Sequence, residues 1–377
     1  MVKYIECYPE YQKFEEFLKS LIRILNLSCI PSKILRGYEK FFFLIFEIYF
    51  LVCLVFALVY YKKNIMEFLI KIMMIAGVLQ ILTKILSILM QPNKFKILFL
   101  FIQEAHQVHE VEFLTDSSKI YLNHLKKALQ TIKIILRIIF PVCFMSAVGI
   151  ISYCIYIDSM LLAVPGVFPD PSTSLFYQHI HQFFCMEISI NIVAISDSVL
   201  ISIGFYFIAV LNIFQDIIQQ VGKFERSNKE RFFMVQLHKF HCNILDKFST
   251  FNEVFYYAIT VQIASSVVFI LCIFFLMLSR ESIAFIPLFL SIFGQFGAIC
   301  IFGELIYSKT QRISTELYLT NWYELDLEEQ KILLMMMCMS QKTLGLKAAG
   351  VYDINLRMFI EVIKAGVSFC AILYTLT

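Results

Sequence analysis

Long apolar stretches alternate with shorter charged segments along the chain. Seven of these stretches have at least 20 residues, which is the length that an α-helix needs to cross a hydrocarbon core of about 30 Å. We therefore predict an all-α membrane protein with seven transmembrane helices: Phe41 to Tyr61, Ile65 to Met90, Ile132 to Ile157, Phe183 to Phe214, Ala258 to Ser279, Ser282 to Gly303 and Leu356 to Thr377.

The second stretch is the least apolar of the seven because it contains Glu67, Lys71 and Lys84. A charge at the centre of a membrane helix costs roughly 2.5 to 3.5 kcal/mol. We expect Glu67 and Lys84 to lie near the helix ends, and Lys71 to need a polar partner or a wet cavity.

The last stretch carries a polar seam on a mostly apolar helix. At 100° per residue one narrow stripe holds Glu361, Lys364, Ser368, Ile372 and Thr375, with Leu376 at its edge. In a hydrocarbon solvent such a seam must face protein or water. Two arrangements satisfy this: several copies of the helix around an aqueous path, or contacts with neighbouring helices of the same subunit.

Composition supports a polytopic membrane protein rather than a soluble or disordered one. The chain is 59% hydrophobic and 16% charged, with a mean hydropathy of +0.74. Its first 20 residues alternate charged with aromatic side chains and lack the apolar core of a signal peptide. We therefore expect the first spanning helix to insert the chain.

The basic residues are concentrated in alternate connections. Segments 1–40, 91–131, 218–254 and 308–357 hold 24 of the 32 Lys and Arg residues. By the positive-inside rule these segments are cytoplasmic, so the N-terminus is predicted inside and the C-terminus outside. This orientation is the inverse of that of a G-protein-coupled receptor, and it disfavours that alternative.

The predicted cytoplasmic segments have the periodicity of ordered helices. In 100–131, 216–254 and 310–345, apolar residues recur every three or four positions among charges, so we expect helices to continue below the membrane. Such surfaces suit a layer that joins subunits; the alternative is that they only brace their own subunit.

Motifs for enzymatic, metal or cofactor chemistry are missing from the sequence. The 11 Cys residues form no Cys-x-x-Cys pair, and no phosphate loop or nucleophile elbow is present. Two pairs share a helix face, His106 with His109 and His238 with His241, but no further ligands lie at metal-site spacing. We expect solvated or capping histidines, no enzyme activity, no metal, no cofactor and no nucleic-acid partner.

The run Met337 to Phe359, MCMSQKTLGLKAAGVYDINLRMF, with Ser368-Phe369 further on, resembles the closing signature of insect odorant receptors. That signature has a Ser-Gln-Lys-x-Leu segment, a Lys/Thr-Ala-Gly turn, a Phe that opens the last helix, and a late Ser-Tyr or Ser-Phe. Two positions depart from it: Thr343 stands where Pro is usual, and Asn355 stands where Ser commonly caps the last helix, a role that Asn can also serve.

Two related classes fit less well. The gustatory receptors usually end in a Thr-Tyr-x₅-Gln-Phe motif that this chain lacks, although a gustatory-type channel stays an alternative. The obligate co-receptor of the odorant family has a longer loop between the fourth and fifth spans, so the chain resembles a ligand-tuned subunit. A transporter is a further alternative, but Pro141 and Pro287 show no repeat at a fixed period.

The resemblance implies an odorant-gated, non-selective cation channel that is a heterotetramer with the co-receptor in the plasma membrane of olfactory sensory neuron dendrites. Within one subunit, 1–377, the first six spans and the ligand pocket occupy 41–303, the anchor 308–355, and the pore-lining helix 356–377. On that alignment Ile372 and Leu376 fall on the hydrophobic gate, Thr375 falls on the narrow polar position, and Ser368 faces the pore.

The resemblance also implies a pocket for a small volatile between the earlier spans. A small-polar, Gly, aromatic row on the third helix corresponds to Ser146, Gly149 and Tyr153. Residues expected to face it are Ile72, Met73 and Ala76 on the second helix, and Ile188, Asn191 and Ile195 on the fourth. Any buried helix face holds such residues, so simple packing is the competing interpretation. Met and Tyr suit a mostly apolar ligand.

Overall fold

The computed structural model describes residues 4–26, 38–60, 65–107, 117–156, 160–167, 176–222, 227–277, 285–342 and 344–376. This part of the chain is almost entirely helical. Its ten α-helices are α1 (Tyr8–Leu25), α2 (Phe42–Tyr60), α3 (Ile65–Met90), α4 (Pro92–Ala105), α5 (Ser117–Tyr156), α6 (Phe176–Ile218), α7 (Ser227–Met277), α8 (Ile286–Tyr318), α9 (Leu327–Ser340) and α10 (Leu356–Leu376). Two 3-10 turns cover Glu39–Phe41 and Trp322–Glu324.

Local sequence accounts for several helix starts. A proline stands in the first turn of α1, α4 and α8, where its missing N–H removes no intrahelical bond. At α9 the backbone N–H of Asp326 donates to Glu329 Oε2 at 3.0 Å, half of a capping box. At α10 the side-chain oxygen of Asn355 accepts from the backbone N–H of Met358 at 2.9 Å. The prediction that Asn355 caps the last helix is therefore confirmed.

Within the described ranges, six helices are long and apolar enough to cross a membrane: α2, α3, α5, α6, α7 and α8. They contain the first six predicted stretches, apart from a few residues at the ends of four of these stretches. Helix α10 has 21 residues and holds the seventh. Helix α7, with 51 residues, is about 77 Å long at 1.5 Å per residue, far more than the hydrocarbon core of about 30 Å. Helices α5 and α7 are continuous from their apolar stretches into the charged segments 117–131 and 227–254, where helices were predicted.

Helix α6 lies at the centre of the bundle. It contacts α1, α3, α4, α5, α7 and α8, and 78% of its apolar window is buried against 28–50% in the other five candidate spans. A helix enclosed by protein can carry polar groups that lipid would exclude. In α6 these include Ser196, Asp197, Ser198 and Ser202, all buried.

A short antiparallel hairpin lies just before the start of α10. Its strands are β1 (Lys347–Ala348) and β2 (Tyr352–Asp353). Ala349 and Gly350 both have positive φ, at 52° and 72°, and the N–H of Ala349 donates to Thr260 Oγ1 of α7 at 3.1 Å. The Lys-Ala-Ala-Gly segment is thus a tight turn tied to α7, and only Gly takes such a backbone without strain.

Candidate ligand cavity and last helix

A cavity of about 570 Å³ lies among α2, α3, α5, α6, α7 and α8. Most of its wall is aliphatic or aromatic, because the helices that form it are apolar on their facing sides. Representative lining residues are Phe50, Met73, Ile139, Val193, Phe269 and Ile292. Ligand sites in proteins commonly have this size and an apolar wall with a few placed polar groups.

A buried ion pair forms one polar part of the wall. Lys84 Nζ of α3 donates to Asp197 Oδ1 of α6, and Gln295 Nε2 of α8 donates to Asp197 Oδ2 at 2.7 Å. Lys84 is 3% exposed. We expected Lys84 to lie near a helix end because a charge is costly at the centre of a membrane helix. That reasoning is wrong for Lys84: its ammonium does not reach solvent, and a carboxylate compensates its burial.

The other two charges of α3 also lie inside the protein. Lys71 is 1% exposed, and its Nζ donates to the backbone carbonyl of Ala57 in α2 at 3.1 Å. The prediction that Lys71 needs a partner is confirmed. Glu67 stands in the first turn of α3, as expected, yet it is buried.

A second polar group joins α3 to α7. Ser265 Oγ lies 2.9 Å from Gln80 Oε1 and donates to it, and Gln262 stands one turn before Ser265 in α7. Gln80 and Gln262 both line the cavity and are 2% and 1% exposed. These glutamines, with Asp197 and Gln295, are site residues that the sequence analysis missed. The signal that could have found them is a polar residue inside each apolar stretch, since such residues are rare in membrane helices and face protein.

Among the predicted ligand residues, Ser146 and Met73 line the cavity, whereas Gly149, Tyr153, Ile72, Ala76, Ile188, Asn191 and Ile195 do not. Tyr153 is buried with its ring centroid 4.7 Å from that of Phe285, and the amide of Asn191 donates to the carbonyl of Glu187 at 2.7 Å. Adjacent positions, such as Gly77, Ser189 and Ile150, line the cavity instead. Successive residues on a helix are rotated by 100°. A prediction that is wrong by one position therefore selects a side chain that faces a different neighbouring helix.

The polar seam of α10 faces away from its own subunit. Glu361, Lys364, Ser368 and Ile372 are exposed, and Ile372 is 58% exposed. The opposite face, with Phe359, Gly366 and Cys370, packs on α7 and α8. Contacts with neighbouring helices of the same subunit therefore do not cover the seam over this length. The side chains of Thr375 and Leu376 lie outside the described residues.

The backbone of α8 closely approaches the segment that leads into α10. A Cβ atom built on Gly303 would collide with the carbonyl oxygen of Ile354, just before the cap residue Asn355. The backbone N–H of Leu356 lies 3.4 Å from Glu304 Oε2. Helix α8, which lines the cavity, thus touches the start of the last helix directly.

Two histidines, His106 and His241, are buried in the interior. His106 stacks on Tyr11 with ring centroids 4.2 Å apart, and burial lowers the pKa of His106 to about 4, so the ring is neutral at pH 7. His241 lies against Phe214, and His109 lies outside the described residues. His106 is the C-cap residue of α4, and its Nδ1 lies 2.8 Å from the carbonyl oxygen of Ile102, so the expectation of a capping histidine is confirmed there. The expectation of a solvated or capping histidine is wrong for His241, which is buried.

No cluster of three or more metal-ligating side chains exists among the described residues. Cys154 and Cys185, which flank the connection between α5 and α6, are free thiols.

Comparisons with known proteins point in one direction. A family model described as 7tm Odorant receptor matches residues 64–367. The solved structure of the insect olfactory receptor OR5 from Machilis hrabei in complex with eugenol is similar at a TM-score of 0.78, with 14% identity over 98% of this chain and 100% of that chain. A second structure of that receptor gives a TM-score of 0.81, with 13% identity over 99% and 100%. No curated protein sequence matches.

Proposed function

Because the chain belongs to the 7tm odorant receptor family, we propose that it is a subunit of an odorant-gated cation channel that binds a small volatile in the cavity. The observation that carries the proposal is the cavity itself: about 570 Å³ of mostly apolar space lined by six helices. Its volume suits a molecule of the size of eugenol, which the similar OR5 structure holds.

The chemistry of the wall favours a neutral, mainly apolar ligand. Among the residues that the structure describes, Asp197 is the one charged group that lines the cavity, and it is paired with Lys84, so these residues leave no counter-charge for an ionic ligand. Burying roughly 200 Å² of apolar ligand surface contributes about 5 kcal/mol at about 25 cal/mol per Å². This corresponds to a dissociation constant of about 0.2 mM, an affinity suited to fast reversible sensing.

The outward seam of α10 supports a shared pore. Four copies of a helix with an exposed polar stripe can face one another around water, which satisfies the side chains that lipid would not. In that arrangement Ser368 faces the aqueous path, Ile372 and Leu376 close it as apolar rings that dewet, and Thr375 sets the narrow polar position.

Exposed apolar surface on α9 and the turn before it supports assembly through the anchor segment. Leu333 and Met336 of α9 are buried against the rest of the subunit, whereas Trp322, Leu334 and Met335 are exposed. An apolar surface of this kind is suited to contacts between subunits. We propose a heterotetramer with the family's co-receptor, with this segment on the cytoplasmic side of the plasma membrane of olfactory neuron dendrites.

The test is electrophysiological. The chain is co-expressed with a co-receptor, and currents are recorded for a volatile panel that includes eugenol. Ser146→Phe places a ring in the cavity, so we expect odorant EC50 values to rise at least about tenfold, the effect of losing about 1.4 kcal/mol of binding. Current evoked by an agonist of the co-receptor should persist. Ser146→Ala, which adds no volume, is the matched control.

The cavity assignment fails if Ser146→Phe leaves odorant potency unchanged across the panel while channels reach the surface. Tyr153→Ala tests the row predicted from the sequence separately, because Tyr153 does not line the cavity. A shift in odorant potency for Tyr153→Ala alone would move the site toward that row.

A further inference from the structure

Two buried amides open onto the same wall of the cavity. Gln80 comes from α3 and Gln262 from α7, and Ser265 connects them: its hydroxyl lies within hydrogen-bond distance of Gln80 Oε1 and of the backbone carbonyl of Gln262, at 2.9 and 3.0 Å. Gln262 and Ser265 are three residues apart and so share one face of α7. Ser265 therefore joins the side chain of Gln80 to the turn of α7 that carries Gln262.

Each of these amides has an atom without a partner among the described residues. Gln80 Nε2, an N–H donor, and Gln262 Oε1, an acceptor, are both buried and make no hydrogen bond. Leaving such groups unsatisfied in an apolar interior is unfavourable. Both residues line the cavity, so a rotation of either side chain would bring its unpartnered atom to an occupant of the cavity.

The pair selects a ligand group that both donates and accepts. A hydroxyl can accept from Gln80 Nε2–H while it donates to Gln262 Oε1. An ether, ester or ketone oxygen only accepts, and a hydrocarbon does neither. A carboxylate also lacks a donor, and a protonated amine would find the carboxylate of Asp197 already engaged by Lys84 and Gln295.

We propose that Gln80 and Gln262 form a hydroxyl-binding subsite, so that this receptor is tuned to neutral alcohols or phenols. The inference rests on the proposed function of the cavity as the odorant site. The hydroxyl is held between the two amides, and the hydrocarbon part lies along the apolar wall that includes Met73, Val193 and Ile292.

The first test compares matched ligands on the unaltered channel, co-expressed with its co-receptor. Hexan-1-ol is compared with 1-methoxyhexane and heptane, and phenol with anisole and toluene. The members of each series have similar size and differ in hydrogen bonding. We expect EC50 values at least about tenfold lower for the hydroxyl compounds, because sites built to hydrogen-bond a hydroxyl reject analogues that lack it.

The second test removes the amides singly with the similarly sized Gln262→Met and Gln80→Met. We expect Gln262→Met to reduce the preference for alcohol over ether to about threefold or less with ether potency little changed, because each ligand then bonds only to Gln80. Gln80→Met should raise the EC50 values of alcohol and ether alike relative to the hydrocarbon, because both accept from Gln80 Nε2–H. Gln178→Met is the matched control. Gln178 is also fully buried with an unpartnered Oε1, but it does not line the cavity, so its removal should leave the preference intact.

The outcomes separate this inference from the proposed function. Equal potency of alcohols and matched ethers on the unaltered channel would overturn the subsite, because water alone would then satisfy the amides, and the odorant site would stand. An alcohol preference that survives both Gln→Met changes would overturn it as well. If a variant fails to reach the surface, the ligand series on the unaltered channel decides. If no panel member opens the channel, the proposed function fails and the subsite falls with it.

Discussion

The Lys84–Asp197 pair allows a quantitative test of what holds the bundle together. Asp197→Asn keeps the shape of the side chain but removes the charge that compensates the ammonium of Lys84, which is 3% exposed. Breaking a buried pair by removing one partner typically costs about 3–5 kcal/mol. The variant should therefore be strongly destabilised even though the carboxamide oxygen of Asn can still accept from Gln295 Nε2.

The expected shift in melting temperature follows from the size of the chain. At roughly 2.1 cal/mol/K per residue, 377 residues give an unfolding entropy of about 0.8 kcal/mol/K. A loss of 3–5 kcal/mol then lowers the melting temperature by about 4–6 °C. The measurement is a thermal melt of detergent-solubilised protein, followed by the monodisperse fraction on size-exclusion chromatography.

Two further variants make the reasoning refutable. Replacing both partners, Lys84→Met with Asp197→Leu, leaves no uncompensated charge and should recover most of the loss. Asp246→Asn removes a carboxylate that is 67% exposed and paired with Lys247 at the surface, so it should change stability by less than about 1 kcal/mol. If Asp197→Asn melts like Asp246→Asn, or if the double variant melts as low as Asp197→Asn, the ion pair is not what stabilises this contact.

Three other predictions concern the last helix and the orientation of the chain. Gly303→Ala should destabilise the protein by about 1–3 kcal/mol in the same thermal melt, because its methyl group meets backbone, whereas Gly294→Ala, which meets nothing within 4 Å, should not. Thr375→Glu should shift reversal potentials in mixed cations toward divalent permeation, and unchanged potentials would remove α10 from the pore. A glycosylation acceptor inserted near Ser172 should be modified and one near Asn228 should not; the opposite pattern on an electrophoretic gel would reverse the proposed orientation.

The helices were predictable because the lipid bilayer imposes a simple rule on the sequence. A span must be apolar over about 20 residues, so stretches such as Phe41 to Tyr61 stand out without any knowledge of the fold. Caps are equally local, and Asn355 could be assigned from its position before the last apolar run. The helical structure of the charged segment 227–254, which forms the first part of α7, followed from periodicity alone.

Which side chains of the central helices face the cavity was not predictable in the same way. Helix α6 is buried on almost every side, so its apolar residues show no single face, and Asn191 could not be distinguished from its neighbour Ser189 as a cavity residue. The same limit hid the partner of Lys84. A pairing across 113 residues leaves no periodic trace, and only the packing of α3 on α6 brings the two charges together.

That separation also has a consequence for how the protein is made. Lys84 leaves the ribosome 113 residues ahead of Asp197, which at roughly 5–20 residues per second is an interval of about 6 to 23 s. Throughout this interval an inserted α3 carries an ammonium that costs roughly 2.5–3.5 kcal/mol in hydrocarbon. We therefore expect α3 to reach its final depth and tilt only after α6 has been inserted. The order of synthesis then makes the arrival of the central helix a late step in the insertion of one of the earliest helices.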